Sequence, residues 1–149
     1  MDLSTAAAEK AGIKGVQLIS DTVFASAAAS LGGLQQLISY AQALLKEGSA
    51  QSLPIRGAIS YGTFEWGQLT YGKAVVAAHR LESSLEWIGV ACDNELPHLE
   101  EAWGISSLVC YPVPERAGMI RLRPAVTWRV PKFKELTRLL CSGGLTAKG

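Results

Sequence analysis

The sequence predicts an α+β domain of ferredoxin-like order, a mostly antiparallel sheet with helices on one face. Three observations predict it. Short β-branched and aromatic runs alternate with two helical stretches, giving the coarse order β–α–β–β–α–β. A short helix, a hairpin and a terminal helix follow. Nothing in the 149 residues divides the chain: there is no internal repeat, low-complexity block or domain linker, so residues 1–149 read as one domain.

Taken in order, residues 1–14 are alanine-rich and weakly patterned, a weakly ordered or short helical lead-in. The run VQLISDTVFA, between Gly15 and Ala25, is rich in β-branched and apolar side chains. It predicts a strand or a tight strand pair, interrupted at Asp21. Ser30 is a suitable N-cap for the clearest helix in the sequence. Leu31, Leu34, Leu37, Ile38, Ala41, Leu44 and Leu45 recur at helical spacing up to Gly48.

PIRGAISYG and FEWGQLTYG follow a polar loop and read as the two arms of a β-hairpin about Gly62-Thr63. A second helix is expected from about Gly72 to Trp87. Its stripe of Ala74, Ala77, Ala78, Leu81 and Leu85 suits close packing on a sheet. IGVAC is a strand, and Glu95 to Trp103 a short helix. SSLVCYPVP and GMIRLRPAVTW are two strands about the turn Glu115-Arg116-Ala117-Gly118. A terminal helix begins near Pro131, with Phe133, Leu136, Leu139 and Leu140 on its apolar side. Residues 142–149 are an expected disordered tail.

Composition excludes more than it identifies. Fourteen basic residues against thirteen acidic leave a net charge of +1, so no global field draws nucleic acid or an anionic membrane. No run of ~18 apolar residues exists to span a bilayer, and the first residues lack the apolar core of a signal peptide. The odd count of three cysteines, without C-x-x-C, argues against a disulfide framework or a cysteine-rich zinc site. Cys92, Cys110 and Cys141 are expected to act as small hydrophobes. These points predict a small soluble cytoplasmic domain.

No familiar catalytic motif is present. There is no G-x-S-x-G for a serine nucleophile, and the glycines of GTFEWGQLTYGK form neither phosphate-loop pattern. His79 lies on a helix flank with Glu82 and Glu86, and His98 has no partner at ligand spacing. Neither histidine points to a metal.

Two stretches are distinctive: LISDTVFAS, followed by a helix and LPIRGAISYG, and then YGKAVVAAHRLESS, leading to a strand and Asp93-Asn94. In order and spacing they resemble the second half of a class III nucleotide cyclase domain, over roughly residues 15–94. That family carries an R-x-G-I-x-x-G strand and a helix of the form G-[DE]-x-V-N-x-A-x-R-L-E. The Arg56-Gly57 strand and the Gly72 to Glu82 helix carry the likeness most specifically.

The resemblance implies a nucleotide-cyclase-like layer, head-to-tail pairing of two domains and two divalent cations held by two aspartates. Asp21 matches the second aspartate. The first belongs on a strand well upstream, whereas only twenty residues precede Asp21 here. That strand is therefore expected to be missing. One carboxylate is a poor cage for Mg²⁺. Arg80 matches the family's phosphate-contacting arginine, but Val76 stands where an asparagine orients the ribose, and valine has no donor or acceptor. Leu69 falls at the position of a purine-selecting aspartate, and Gln17 near that of a lysine.

Each surviving residue also has an ordinary reading. Asp21 is either a metal or ligand carboxylate or a turn residue bonding nearby amides. Arg80 either meets phosphate or makes a structural salt bridge. Val76, Arg80 and Trp87 are read together as an interface on the second helix, the alternative being that the later strand pair or the terminal helix covers this flank within one chain.

The expectation is a degenerate, non-catalytic cyclase-like module forming a homodimer, with a possible small nucleotide-like ligand in the dimer cleft. No cofactor is assigned to it, Mg²⁺ or Mn²⁺ entering only with the cyclase alternative, and neither membrane nor nucleic acid is expected as a partner. The alternative is a divergent nucleotide cyclase using Mg²⁺ or Mn²⁺ and a partner chain for the missing aspartate. A third reading is a ferredoxin-like binding protein whose likeness to cyclases is coincidental.

Overall fold

The computed structural model describes residues 3–105 and 107–127. The predicted terminal helix and tail, including residues 142–149, lie outside the described residues. Within them, the predicted α+β class and the mostly antiparallel pairing are what the chain adopts, in a layout compatible with a ferredoxin-like layer.

Residues 1–14, the expected lead-in, contain helix α1 (Leu3–Ala11), which buries Ala7 and Ala8. β1 (Gly15–Ile19) and β2 (Thr22–Ser26) form an antiparallel hairpin with Ile19 opposite Thr22. Its tight turn places Ser20 at φ 57° and Asp21 beside it. The interruption expected at Asp21 is therefore a hairpin turn. α2 (Leu31–Ala50) is capped by Ser30, whose hydroxyl accepts from the Gly33 amide at 3.1 Å.

β3 (Arg56–Ile59) departs from the expected hairpin. It pairs in parallel with β6 (Gly89–Cys92), and the hairpin lies wholly inside the following segment. There β4 (Phe64–Glu65) meets β5 (Tyr71–Gly72). Parallel neighbours need a crossover, which α3 (Lys73–Ser84) supplies. α4 (Leu99–Ile105) then leads to the long hairpin of β7 (Leu108–Glu115) and β8 (Met119–Val126), joined by a short turn over Arg116–Gly118. The main sheet has the order β3-β6-β8-β7, while β1-β2 and β4-β5 are separate two-stranded ribbons.

Strand alternation divides the core into two sides. On one, Ile59, Val90, Cys92, Leu108 and Val126 meet Leu34, Ile38, Ala41 and Leu45 of α2 and Ala102 of α4. On the other, Ala58, Ala91 and Val113 meet Leu81 and Leu85. The expected arrangement of helices on one face thus holds for α2 and α4, while α3 lies across the sheet from them. The cause is local: the neighbours Ala58 and Ile59 point oppositely, and the small stripe of α3 fits the Ala58 and Ala91 side. A third cluster joins Ala7, Ala8, Ile13 and Tyr40, and seats the β1–β2 hairpin through Val16, Val23 and Ala25.

Candidate functional site

Each candidate residue owes its position to a local feature of the backbone. Gly72 starts α3 at φ 138°, and a Cβ there would lie 2.5 Å from the Phe64 Cα. Only glycine allows the β4–β5 ribbon to fold so tightly against the helix start. The Ala74 amide donates to the Thr63 carbonyl at 3.2 Å, and the Ser60 hydroxyl to the Ala74 carbonyl at 2.6 Å. α3 is thereby fixed to both β3 and the ribbon.

On α3, Val76 and Arg80 are four residues apart, on one exposed flank. Val76 is 48% exposed. Arg80 makes no ion pair among the described residues. The salt bridge on this helix belongs instead to Arg56, whose Nε donates to Glu82 Oε1 at 2.5 Å and whose Nη1 donates to the Leu85 carbonyl at 3.1 Å. Arg56 therefore ties β3 to the end of α3.

Trp87 is not part of the Val76 and Arg80 flank. α3 ends at Ser84 with Leu85 as C-cap, so Trp87 lies beyond the helix. Its ring stacks on Tyr111 of β7, with centroids 5.3 Å apart and planes 22° apart. It also lies so close over Gly89 that a Cβ there would meet the indole at 2.3 Å. The later strand pair covers this tryptophan within one chain, the alternative weighed from the sequence.

Asp21 stands exposed at the tip of the β1–β2 turn, with the Thr22 hydroxyl donating to its Oδ1 at 3.4 Å. Among the described residues, no group of three or more His, Cys, Asp or Glu side chains is placed to hold a metal ion. One exposed turn carboxylate does not supply the ligand set that Mg²⁺ or Mn²⁺ needs, so the residues present do not fit the two-cation centre of the resembled family. His98 pairs with Glu101 at 3.2 Å, and His79 lies 3.4 Å from the Ser83 hydroxyl. Both are exposed surface contacts.

Gln17 and the 67–70 loop form a contact that sequence reading missed. The Gln17 Nε2 donates to the Gly67 carbonyl at 3.1 Å, and the Thr70 hydroxyl donates to Gln17 Oε1. Leu69, between Gly67 and Thr70 in the same loop, is 71% exposed. Both hydrogen-bonding ends of the Gln17 amide are thereby engaged.

The ribbon carries a second missed feature. Phe64, Trp66, Leu69 and Tyr71 are all exposed, with Phe64 and Trp66 in edge-to-face contact at 6.1 Å. Tyr71 donates to Glu65 at 2.5 Å, and the carboxylate raises the phenol pKa. The available sequence signal was four large apolar residues in a short, glycine-bounded hairpin, with no room to bury them.

Cys92 is fully buried, and desolvation, with Asp93 nearby, pushes its thiol up to about 12. It is the inert small hydrophobe expected. Cys110 departs from the same expectation: it is disulfide-bonded, and Cys141 lies outside the described residues. An open cavity of about 270 Å³ lies between α1 and β1, lined by Ser4, Thr5, Glu9 and Lys14 among others. Asp21, Val76 and Arg80 take no part in its walls.

The described residues form an α+β layer that exposes an apolar ribbon and a helix flank. Compared with protein-family models, with curated proteins and with solved structures, the chain matches none. No helix of the described residues is long and apolar enough to cross a membrane.

Proposed function

We propose that the chain is a non-catalytic, nucleotide-cyclase-like module that self-associates and takes a small nucleotide-like ligand in the cleft between two copies. One observation carries the non-catalytic part. Gln17, near the lysine position of the resemblance, has both ends of its amide engaged by Gly67 and Thr70, and Leu69 stands exposed at the aspartate position, so neither place offers a charged side chain. The exposed Asp21 and the apolar Val76 support the same reading.

Self-association is supported by the run of exposed apolar side chains from Phe64 to Val76. Exposed large apolar side chains gathered in one short segment favour an interaction site, and Arg80, one turn along α3 from Val76, supplies a charge for a partner or a phosphate. The sequence grouping of Val76, Arg80 and Trp87 is thus replaced by Val76, Arg80 and the ribbon.

Two experiments test this reading. Incubation with ATP, GTP, CTP and UTP and Mn²⁺ is expected to give no cyclic product; clear turnover that vanishes in Asp21→Ala would sink the proposal. Sedimentation is expected to show a dimer for the wild type and a monomer for Val76→Glu at unchanged Tm. A wild type that stays monomeric at every concentration removes the self-association. The alternative of a divergent cyclase needing a partner chain is supported by Arg80, exposed and without an ion pair among the described residues; it predicts cyclic product in the same assay once a partner chain supplying the missing aspartate is added.

The proposed cytoplasmic setting rests on the buried free thiol of Cys92, whereas the Cys110 disulfide weighs toward an oxidising compartment. Counting thiols in protein purified without reductant separates them: three free thiols place the chain in a reducing compartment.

A further inference from the structure

The open cavity of about 270 Å³ between α1 and β1 has walls of two kinds. One is apolar. Ala8 and Ile13 line it and are buried in the cluster that seats the β1–β2 hairpin, and Val16 packs on the same cluster. Successive strand residues point to opposite sides. Val16 and Leu18 therefore share the α1 side of β1, while Gln17 between them reaches away to the ribbon loop. Leu18 lines the cavity yet is 54% exposed. It is apolar surface that a bound side chain would remove from water.

The other wall is charged, with both signs. Glu9 of α1 and Lys14, just before β1, line the same volume. Among the described residues, neither forms a salt bridge or a side-chain hydrogen bond. A carboxylate and an ammonium thus border one small cavity without pairing with each other. Ser4, a polar residue only 7% exposed, adds a buried wall beside them. Size limits the occupant as well. A water takes about 30 Å³ of liquid, so about nine waters fill the cavity, and a ligand of roughly nine non-hydrogen atoms replaces them.

We propose that this cavity binds a free α-amino acid with an apolar side chain the size of leucine. The ligand ammonium pairs with Glu9, its carboxylate with Lys14, and its side chain packs on Ile13, Val16 and Leu18. Specificity comes from the two charges together. A simple amine meets Lys14 as a like charge, and a simple carboxylate meets Glu9 as one, so only the zwitterion complements both. Asp21, Val76 and Arg80 take no part, and the inference does not rest on the cyclase-like reading.

The test follows backbone amide NMR shifts of the whole chain at neutral pH. L-Leucine is compared with 3-methylbutylamine, which lacks its carboxylate, and with 4-methylpentanoate, which lacks its ammonium. Leucine at millimolar concentration is expected to shift the amides of Ala8, Glu9 and Ile13 to Leu18 in a saturable way. Each analogue should bind at least about fivefold more weakly. Glu9→Gln and Lys14→Met change exposed side chains and should keep the Tm, while each weakens leucine about threefold. Glu9→Gln should also erase the preference for leucine over 4-methylpentanoate, which a merely structural role would not do. Leucine that moves none of these amides overturns the proposal. So does equal binding of leucine and both analogues, which would mark an apolar crevice only, and so does leucine affinity unchanged in both variants. The dipeptide Leu-Gly binding as tightly as leucine would assign the site to a polypeptide N-terminus and overturn it too.

Discussion

Two hairpins of this molecule expose apolar side chains yet are held by different means. β7–β8 pairs over eight residues a side and shows Met119, Ile120 and Leu122 to solvent near its tip. β4–β5 pairs over two and shows Phe64, Trp66 and Tyr71. The long ribbon is rigid through its ladder and through Glu115, a buried carboxylate that accepts from Arg123 and lies 3.2 Å from Arg121. The short one has almost no ladder. Its pose depends on Gly72, on the bond from Ala74 to Thr63 and on the Gln17 contact to its loop. Exposure is therefore not a sign of looseness, and a displayed surface can be set by a ladder or by a few side chains.

Breaking the clamp of the long hairpin is expected to have the largest effect. Glu115→Ala leaves Arg123, only 16% exposed, without its carboxylate. The expected loss is about 3 kcal/mol, typical of removing one partner of a buried pair, read by denaturant unfolding. Arg121 is 54% exposed and contributes little of this. An unchanged midpoint would mean that the ladder alone holds the hairpin.

The next effect in size falls at Trp87, which joins the α3 exit to the same hairpin. The bridge between Leu85 and Glu115 and the bond from the Glu86 amide to the Pro114 carbonyl run alongside its stack on Tyr111. Trp87→Ala is expected to cost about 2 kcal/mol, less than a fully buried aromatic because the ring is half-exposed. Its sedimentation should match that of the wild type. A monomer at unchanged stability would restore Trp87 to the interface read from the sequence.

Much of the fold was legible because periodicity and capping are local. Ser30 and the spacing of the α2 leucines located the longest helix, and alternating apolar runs located the strands. Pairing was less legible: β3 next to β4 in sequence looks like a hairpin, and only the Ala58 and Ile59 alternation with α3 as crossover makes it a parallel neighbour of β6. Position on a helix was also misleading for Trp87. The stripe through Leu85 continues past the last helical turn, and the chain leaves the helix before the tryptophan. The Gln17 and Thr70 contact was beyond reach, because two neutral side chains 53 positions apart carry no motif.

That contact gives the smallest effect and the sharpest comparison. If the short ribbon is posed by side chains, Gln17→Ala and Thr70→Val should not be additive. A double-mutant cycle isolates their coupling, expected at about 1 kcal/mol for neutral, partly exposed hydrogen bonds. Each single variant should cost less than Glu115→Ala and leave the β7–β8 amides as protected as before. The fluorescence of Trp66 should nevertheless shift in Gln17→Ala, since the loss of the Gly67 contact frees the segment that carries it. Additive effects with unmoved Trp66 fluorescence would show that the two-residue ladder and Gly72 suffice, and that the short hairpin is held as the long one is, by its own backbone.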